Sequence, residues 1–355
     1  MRIIHVVYSM EMGGAESLVA QLCRLQRANG HQVSVCAYTN LGTLGEALVD
    51  EGFRVDVPGK SSLPKAIFHC FQLFRKLKPD VVHCHNPAQA FIAVIGARLA
   101  GASSVITTRH SLVAPPYERA AEIKFSFISM LCDHIVGICE ATCNNLRHAP
   151  LARRDRIVRV YNGASPIQKL DLAECPATSG FTVLFVGRLA PVKDLSTLIN
   201  AVALALPRVP GLNLWIVGDG PVRQDLEGLT ASLAIASCVT FWGERHDVAR
   251  FFSVAHLFAM SSLSEGLPMS LLQAMSAGIP ALVTQVGGMA EVVQNSNCGI
   301  CVPVGDARAM ADAIVQLSAD YERRSAFAAN AIAAYQADFT IEKMDTAYMR
   351  LYQPR

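Results

Sequence analysis

Short apolar, β-branched runs alternate along this chain with longer segments of helical periodicity. The first 165 residues predict strands at residues 3–8, 32–37, 81–84, 104–108 and 135–139, and helices at residues 15–29 and 88–100. The strands are continuously apolar, which is typical of parallel sheets covered by helices on both faces. The pattern therefore predicts βαβ units.

The pattern loosens over residues 158–180, where Gly, Ser and Pro accumulate, and a strong strand at residues 182–186 restarts it. Further helices are predicted at residues 195–206, 222–236, 248–254 and 268–277, with strands at 212–217, 238–242, 257–260 and 281–284. We predict an α/β protein with two tandem Rossmann-like, doubly wound domains facing one cleft. The predicted domains are residues 1–163 and 164–335, and a helix within 336–355 is expected to return to the first domain.

Length and composition narrow the class of protein. A chain of 355 residues is more than one hydrophobic core usually serves. With 52% hydrophobic and 17% charged residues and a mean hydropathy of +0.31, it is too apolar for a disordered regulator. Its apolar runs, such as 91–97 and 201–206, are far below the roughly 18 residues that a membrane span needs. Since the N-terminus lacks the features of a signal peptide, we expect a mature cytoplasmic protein.

Charge and cysteine usage argue against a nucleic-acid binder and against a cysteine metal site. Residues 1–165 carry 18 Lys and Arg against 12 Asp and Glu, while residues 166–355 carry 13 against 17, for a net charge of +2. This balance is too mild for a nucleic-acid binder but suits an anionic ligand or surface. The eleven scattered cysteines are typical of reduced, buried thiols, and the Cys298–Cys301 pair favours a turn entering a strand over a metal site.

Gly13 and Gly14 follow the first predicted strand and begin a helix. Glycines at this place allow a ligand to approach the backbone, and a helix N-terminus offers N–H groups to an anion. An ordinary βα turn explains the pair equally well.

Three loops of the second half carry charged or Gly-rich motifs. Gly187, Arg188 and Lys193 follow the strand at 182–186, where two cations suit a diphosphate, although they also suit a plain exposed loop. Glu265 precedes Gly266, Leu267 and Pro268 at the start of a helix that carries Gln273 in its second turn. Gly218 begins a Gly-Asp-Gly-Pro turn after another strand.

With these motifs the chain resembles the retaining glycosyltransferases of the GT-B fold, family 4 (glycosyltransferase group 1), over nearly its whole length. The resemblance is carried by residues 13–16, 162–163, 186–188 with 193, 217–221, 265–268 with 273, 274–280 and 287–291. It implies an enzyme of class EC 2.4 that moves a hexose or N-acetylhexosamine from a nucleotide-diphosphate sugar, with UDP-sugars favoured. The implied acceptor is a hydroxyl of a glycan or lipid-linked molecule in cell-surface polysaccharide, lipopolysaccharide or glycolipid synthesis.

The resemblance also implies roles for individual residues. Arg188 and Lys193 bind the donor diphosphate, Glu265 contacts sugar hydroxyls and His110 lies near the donor sugar. The family usually has a second glutamate on the nucleotide ribose, but here Gln273 offers a neutral hydrogen bond, weaker by roughly 1 kcal/mol. The implied catalytic residues are His110, Arg188, Lys193 and Glu265, and the implied donor-binding residues are Gly13, Gly14, Gly187, Gly218, Gly266, Leu267 and Gln273. No metal, cofactor or protein nucleophile is implied.

Several alternatives remain open at this point. His110 is also explained as an ordinary loop histidine, and His83 and His85 compete with it for the cleft. The amphipathic basic segment 60–80 suits an anionic membrane, which would make the protein peripheral on the inner leaflet, but it also suits a surface helix with a rim of Lys and Arg. The competing functions are a GDP-mannose-dependent mannosyltransferase, a nucleotide-sugar epimerase of the same fold, and an inactive scaffold subunit suggested by Gln273.

Overall fold

A computed structural model describes residues 1–59, 61–85, 87–112, 119–149, 153–178 and 180–353. The chain divides into two compact units. The first consists of Met1–Gly163 and Ile341–Arg355, and the second of Ala164–Thr340.

The first unit contains a seven-stranded parallel sheet in the order β3-β2-β1-β4-β5-β6-β7. Its strands are β1 (Arg2–Val7), β2 (Gln32–Ala37), β3 (Arg54–Asp56), β4 (Val81–His85), β5 (Ser104–Arg109), β6 (His134–Gly137) and β7 (Ile157–Arg159). Its helices are α1 (Gly14–Ala28), α2 (Gly42–Asp50), α3 (Leu63–Leu77), α4 (Pro87–Leu99), α5 (Arg119–Ser129) and α6 (Glu140–His148), together with the chain-terminal α14 (Ile341–Leu351).

The sheet of the first unit has a core on each face. One core joins Ile4, Val82 and Cys84 to residues of α3, α4 and α5. The other joins Val7 and Val35 to residues of α1 and α2, and α14 packs against α1. Because side chains alternate along a strand, β1 and β4 turn one set of residues toward α3–α5 and the intervening set toward the opposite face.

The second unit contains a six-stranded parallel sheet in the order β10-β9-β8-β11-β12-β13. Its strands are β8 (Thr182–Val186), β9 (Asn213–Val217), β10 (Val239–Gly243), β11 (Leu257–Met260), β12 (Ala281–Thr284) and β13 (Gly299–Val302). Its helices are α7 (Leu195–Ala205), α8 (Arg223–Ser232), α9 (Ala249–Phe252), α10 (Met269–Ser276), α11 (Gly287–Asn295), α12 (Ala307–Ala319) and α13 (Tyr321–Asp338).

Both sheets have the strand order of a doubly wound fold, so the predicted α/β class with two Rossmann-like sheets is confirmed. In each sheet the order reverses beside the first strand, between β1 and β4 and between β8 and β11. Crevices at such switch points, outside the carboxyl ends of the strands, are where ligands of these sheets bind.

The unit boundaries refine the sequence prediction. The second unit extends to Thr340 rather than residue 335, and the last helix begins at Ile341 in the first unit. The segment predicted as a linker hydrogen-bonds to the second unit, because Ile167 N donates to Ser276 Oγ at 3.0 Å and Leu170 N to Ser253 Oγ at 3.0 Å.

The basic helix predicted over residues 60–80 is shorter in the structure. It spans Leu63–Leu77, and Lys78 ends it in a left-handed conformation directly before Pro79. Lys60 lies outside the described residues. Within the described part of the chain no helix is both long and apolar enough to cross a membrane. All eleven cysteines are free thiols, and nine of them are buried.

Candidate active site

An ion pair joins two loops at the carboxyl edge of the second sheet. Lys193, from the loop after β8, contacts Oε1 of Glu265, from the loop after β11, through its ammonium group. These side chains are 18% and 13% exposed, so the pair is mostly withdrawn from water yet accessible to a ligand. Since β8 and β11 are neighbours at the switch point, the topology explains why residues 72 positions apart meet.

Hydrogen bonds from serines hold both loops in place. Ser262 Oγ donates to Glu265 Oε1 at 3.0 Å, and Ser261 Oγ donates to the carbonyl oxygens of Lys193 and Asp194 at 3.1 and 2.7 Å. Asp194 itself has a φ of +45°, an uncommon conformation for a residue other than Gly. Thr197 Oγ1 donates to its carboxylate at 2.6 Å. The Lys193 side chain therefore starts from a well-defined backbone.

Arg188 lies on the same loop as Lys193 and is exposed. Within the described part of the chain its guanidinium has no hydrogen-bond or ion-pair partner. An exposed cation on the same loop as the lysine of a mostly buried Lys–Glu pair is an arrangement that can receive an anionic ligand.

The loops after β8 and β9 approach each other so closely that only glycine fits between them. Gly218 has a φ of +131°, and a Cβ atom on it would lie 2.0 Å from the carbonyl oxygen of Gly187. Gly187 N in turn donates to Val217 O at 3.0 Å. Gly187 and Gly218 thus shape the backbone next to Arg188 rather than offering a side chain.

Helix α10 follows Glu265 through Gly266, Leu267 and Pro268. Gly266 O accepts a 2.7 Å hydrogen bond from Gly288 N at the start of α11, and Leu267 is 3% exposed, so this turn is anchored in the unit. The sequence predicted Pro268 as the first residue of this helix. In the structure Pro268 is the N-cap, and α10 begins at Met269. Gln273 lies in the second turn, as predicted, and its partly exposed amide has no partner among the described residues.

The remaining predicted site residues belong to the first unit. Gly13 is the N-cap of α1 and Gly14 its first residue, after a loop of residues 8–12 that follows β1, while His110 directly follows β5. All three lie at the carboxyl edge of the first sheet, and β4 separates their strands. The structure therefore divides the predicted residues into a set of three in the first unit and a set of eight in the second.

His110 is the outer end of a network of buried histidines. His110 Nε2 lies 3.0 Å from Nδ1 of His85, His85 Nε2 lies 3.0 Å from Nδ1 of His5, and His5 Nε2 lies 2.9 Å from Oε1 of Gln26. His83 lies beside His85, with the ring centres 4.0 Å apart and the ring planes tilted by 32°. We call His5, His83, His85 and His110 the histidine network.

The C-terminal helix closes this network. Gln26 Nε2 donates to Asp345 Oδ1 at 3.0 Å, His83 Nδ1 lies 2.7 Å from the Tyr352 hydroxyl, and Thr108 Oγ1 lies 2.8 Å from His83 Nε2 and 3.1 Å from the Tyr348 hydroxyl. Alternation along β1 and β4 turns His5, His83 and His85 away from α3–α5.

Burial keeps these rings neutral. It lowers the pKa of His5 and of His110 to about 4, and it lowers the pKa of His83 and His85 well below the usual value. Nitrogens of His5, His83 and His85 lie within 4.8 Å of one another, a spacing that three ligands of one metal ion can have. Each of these nitrogens already has a hydrogen-bonding partner, so the arrangement is that of a hydrogen-bond network.

Sequence reasoning named three of the four histidines but not the hydrogen bonds that join them. It considered His83 and His85 for the cleft, whereas the structure buries both, and it did not consider His5, Gln26 or Asp345. The available signal was a polar side chain within each of two apolar strands, at His5 and in the His83-Cys84-His85 sequence. It also missed Ser262, the hydrogen-bond partner of Glu265.

Comparisons with known proteins agree with the two-unit structure. The family described as Glycosyltransferase Family 4 matches residues 12–166, and the family described as Glycosyl transferases group 1 matches residues 175–334. The lipopolysaccharide core biosynthesis glycosyltransferase LpsE of Rhizobium meliloti is 31% identical over 311 residues, covering 84% of this chain and 87% of that protein.

Two further similarities concern a relative and a solved structure. The Escherichia coli UDP-Gal:α-D-GlcNAc-diphosphoundecaprenol α-1,3-galactosyltransferase is 26% identical over 277 residues, 72% of this chain and 70% of that protein. The crystal structure of Anabaena Alr3699/HepE in complex with UDP-glucose superimposes with a TM-score of 0.85 at 19% identity, covering 99% of this chain and 98% of that one. With the family matched in both units and a relative above 30% identity along most of its length, the chain belongs to the group 1, family 4 glycosyltransferases of the GT-B fold and is an enzyme of polysaccharide or glycolipid synthesis.

Proposed function

We propose that the enzyme transfers a hexose or N-acetylhexosamine from a UDP-sugar to a hydroxyl group of a glycan or lipid-linked acceptor, with retention of the anomeric configuration. The observation that carries this proposal is the Lys193–Glu265 pair together with the exposed Arg188 on the loop that carries Lys193. A nucleotide-diphosphate sugar has an anionic diphosphate next to sugar hydroxyls. Two cations and one carboxylate on adjacent loops match both parts of such a donor.

The roles proposed for Arg188 and Lys193 follow from the negative charge that develops on the leaving diphosphate during transfer. When the bond between the sugar and the diphosphate breaks, negative charge grows on the leaving oxygen, and fixed cations stabilise it. Arg188 and Lys193 supply these cations, and the positive end of the α10 dipole adds to them. A lysine ammonium has three donor hydrogens, so Lys193 can hold Glu265 and a phosphate oxygen together.

Glu265 and Gln273 bind the polar parts of the donor in this proposal. Glu265 Oε1 is occupied by Lys193 and Ser262, and the carboxylate as a whole has further acceptor capacity for sugar hydroxyls. Gln273 contacts the nucleotide ribose through a neutral hydrogen bond, and His110 lies near the donor sugar. The acceptor hydroxyl attacks the face that the diphosphate leaves, and the departing phosphate takes its proton. No protein nucleophile is required.

Similar proteins support the choice of donor and acceptor. The Escherichia coli relative is named for galactose transfer from UDP-Gal to a lipid-linked sugar, and the Anabaena structure contains UDP-glucose. The Rhizobium relative is named for lipopolysaccharide core synthesis. These names favour a UDP-sugar and an acceptor of a bacterial surface glycan or glycolipid.

Helix α3 supports contact with an anionic membrane surface. Leu63 and Phe68 are 47% and 54% exposed, and Lys65, Arg75 and Lys76 lie exposed on the same helix. Exposed apolar residues with flanking cations favour the interface of a membrane containing anionic lipids. This surface would bring the enzyme to a lipid-linked acceptor. Phe68→Ala should weaken binding to phosphatidylglycerol vesicles, whereas the α8 variant Gln224→Ala should not, and equal binding of both would contradict this part of the proposal.

The donor is tested by adding UDP-Glc, UDP-Gal, UDP-GlcNAc, UDP-GalNAc or GDP-Man to the purified protein and measuring its Tm and donor hydrolysis. One UDP-sugar is expected to raise the Tm and to be hydrolysed slowly. Glu265→Ala should lose both effects, while Glu244→Ala, which removes an exposed carboxylate elsewhere in the unit, should keep them.

The alternatives give different results in the same assay. A response to GDP-Man alone would identify GDP-mannose as the donor and would contradict the proposed UDP-sugar. Conversion of the donor into its epimer without acceptor would identify an epimerase, and no response to any donor would favour a scaffold subunit. With donor and acceptor in hand, NMR of the anomeric proton of the product tests retention.

A further inference from the structure

Four hydrogen bonds connect the C-terminal helix to the candidate site residue His110 inside the first unit. They join Asp345 to Gln26, Gln26 to His5, His5 to His85 and His85 to His110, with donor–acceptor distances of 3.0, 2.9, 3.0 and 3.0 Å. We call this series the Asp345 relay. Asp345, Gln26, His5 and His85 are all buried, so water does not compete for these positions.

Asp345 determines which atom donates and which accepts in each hydrogen bond of the relay. Burial raises the pKa of Asp345, and hydrogen bonds from Gln26 and Asn29 oppose this effect. An ionised carboxylate only accepts hydrogen bonds, so Gln26 turns its NH₂ group toward Asp345 and its carbonyl oxygen toward His5. The opposite orientation of the amide would place its oxygen against the carboxylate. Asn29 Nδ2 donates to the other carboxylate oxygen at 3.2 Å, so both oxygens act as acceptors.

In each neutral imidazole one nitrogen donates and the other accepts, so the role of one nitrogen determines the role of the other. His5 donates from Nε2 to Gln26 and accepts at Nδ1, so His85 donates from Nε2 to His5. His85 therefore accepts at Nδ1, and His110 donates to it from Nε2. The proton of the His110 ring is thereby assigned to Nε2 and the lone pair to Nδ1.

His83 stands beside the relay. Its ring packs on His85 at 4.0 Å and on Tyr348 at 4.7 Å, and its nitrogens meet Tyr352 and Thr108. Two of these partners, Tyr348 and Tyr352, come from the same C-terminal segment as Asp345. The segment after residue 340 thus positions the His83 ring as well as determining the donor and acceptor roles in the relay.

We propose that Asp345 and Gln26 are positioning residues that fix His110 as the Nε2–H tautomer through His5 and His85. The role of His110 in catalysis rests on the proposed function, but the tautomer itself does not. Nδ1 of His110 is buried in this structure, and an imidazole nitrogen that accepts can bond only a donor group, whereas one that donates can bond only an acceptor. The relay therefore selects which hydrogen bond His110 can make.

Long-range ¹H–¹⁵N NMR of the full-length protein labelled at histidine tests the proposal, because ring nitrogens with and without a proton differ widely in ¹⁵N shift. His110→Gln identifies the His110 signals. The wild-type protein should show His110 with a protonated Nε2 and an unprotonated Nδ1. Asp345→Asn should give a mixture of His110 tautomers, because an asparagine at 345 can present either an oxygen or an NH₂ group to Gln26.

Asn29→Ala is the matched control, since Asn29 also bonds Asp345 but lies outside the relay, and it should leave the tautomer unchanged. A wild-type spectrum with the proton on Nδ1 of His110 would overturn the proposal even if the variants fail to fold. So would a single, unchanged tautomer in Asp345→Asn, or ¹⁵N shifts of His5 and His85 that change on treatment with EDTA, which would indicate a metal centre.

Activity is a separate readout once a donor is known. Asp345→Asn should lower kcat in proportion to the fraction of His110 that loses the Nε2–H tautomer, with little change in the donor KM, while Asn29→Ala should change neither. A shifted tautomer with unchanged kcat would keep the relay and remove His110 from the proposed mechanism. Lack of any transferase activity in the wild type would contradict the proposed function and leave the NMR result standing.

Discussion

Ser262 donates its hydroxyl hydrogen to Oε1 of Glu265 at 3.0 Å, the same oxygen that contacts the Lys193 ammonium group. Both interactions orient one carboxylate oxygen, so the Glu265 side chain has a defined position before any ligand arrives. Such preorganisation is what electrostatic catalysis requires, because the groups then need no rearrangement as charge develops.

Lys193→Ala should lower kcat about 10²- to 10³-fold, the range seen when one preorganised group that stabilises developing charge is removed. The fold should persist, because the ammonium group lies at the edge of the unit rather than in its core. Steady-state kinetics and circular dichroism of the variant measure the two effects. Lys169→Ala, which removes an exposed lysine of the same unit, should behave as the wild type, and wild-type rates in Lys193→Ala would contradict the assignment.

Gln273→Glu should strengthen donor binding. A carboxylate makes a charge-assisted hydrogen bond to a ribose hydroxyl, and a gain of about 1 kcal/mol corresponds to about a fivefold lower Kd. Isothermal titration with the donor or with UDP measures it. Gln294→Glu adds the same charge at an exposed position of α11 and should leave the Kd unchanged. An equal or weaker affinity in Gln273→Glu would separate position 273 from the ribose.

Two Gly→Ala substitutions in the second unit should have opposite effects on the free energy of unfolding. Gly218→Ala places a methyl group 2.0 Å from Gly187 O at a φ of +131°, and it should destabilise the protein by more than about 2 kcal/mol. Gly228→Ala, inside α8 with nothing within 4 Å of the new atom, should stabilise it by about 0.5–1 kcal/mol. Urea denaturation distinguishes them, and equal effects would contradict the close approach of the two loops.

Stability should decrease as the pH falls from about 6.5 toward 4. Burial lowers the pKa of His5 and His110 to about 4, so between these pH values the unfolded chain binds protons that the folded chain does not. Each such histidine lowers the free energy of unfolding by about 1.4 kcal/mol for each pH unit that the pH falls in this range. Urea denaturation at several pH values measures the slope. His110→Gln should reduce it by that amount, and an unchanged slope would show that this ring is not protected from protonation.

Donor turnover should persist in EDTA. In the proposed mechanism Arg188 and Lys193 neutralise the diphosphate, which is the task that a divalent cation performs in other enzymes. The initial rate after dialysis against EDTA, compared with the rate after addition of Mg²⁺ or Mn²⁺, tests this. Loss of activity that is restored by the metal ion would assign the charge neutralisation to the ion instead.

The sequence predicts much of the second unit correctly because its signals are local. Continuous apolar runs identify β8, β11 and β12, and Gly and Pro beside them mark the loops that carry Arg188 and Glu265. Short or weakly patterned elements were not predicted, among them β3 and β7 with three residues each. Strands of this length are stabilised by pairing with neighbours, which periodicity does not reveal.

Residue types and spacing were enough to specify two doubly wound sheets and the loops at their carboxyl edges, since strand and helix periods are local properties of the chain. The contacts that give these loops their chemistry depend on distant pairings. Lys193 meets Glu265 because β8 and β11 are adjacent, and Asp345 reaches the histidine network because α14 packs on α1. Burial then keeps these histidines neutral. Only the tertiary structure decides burial, because it determines which side chains water can no longer reach.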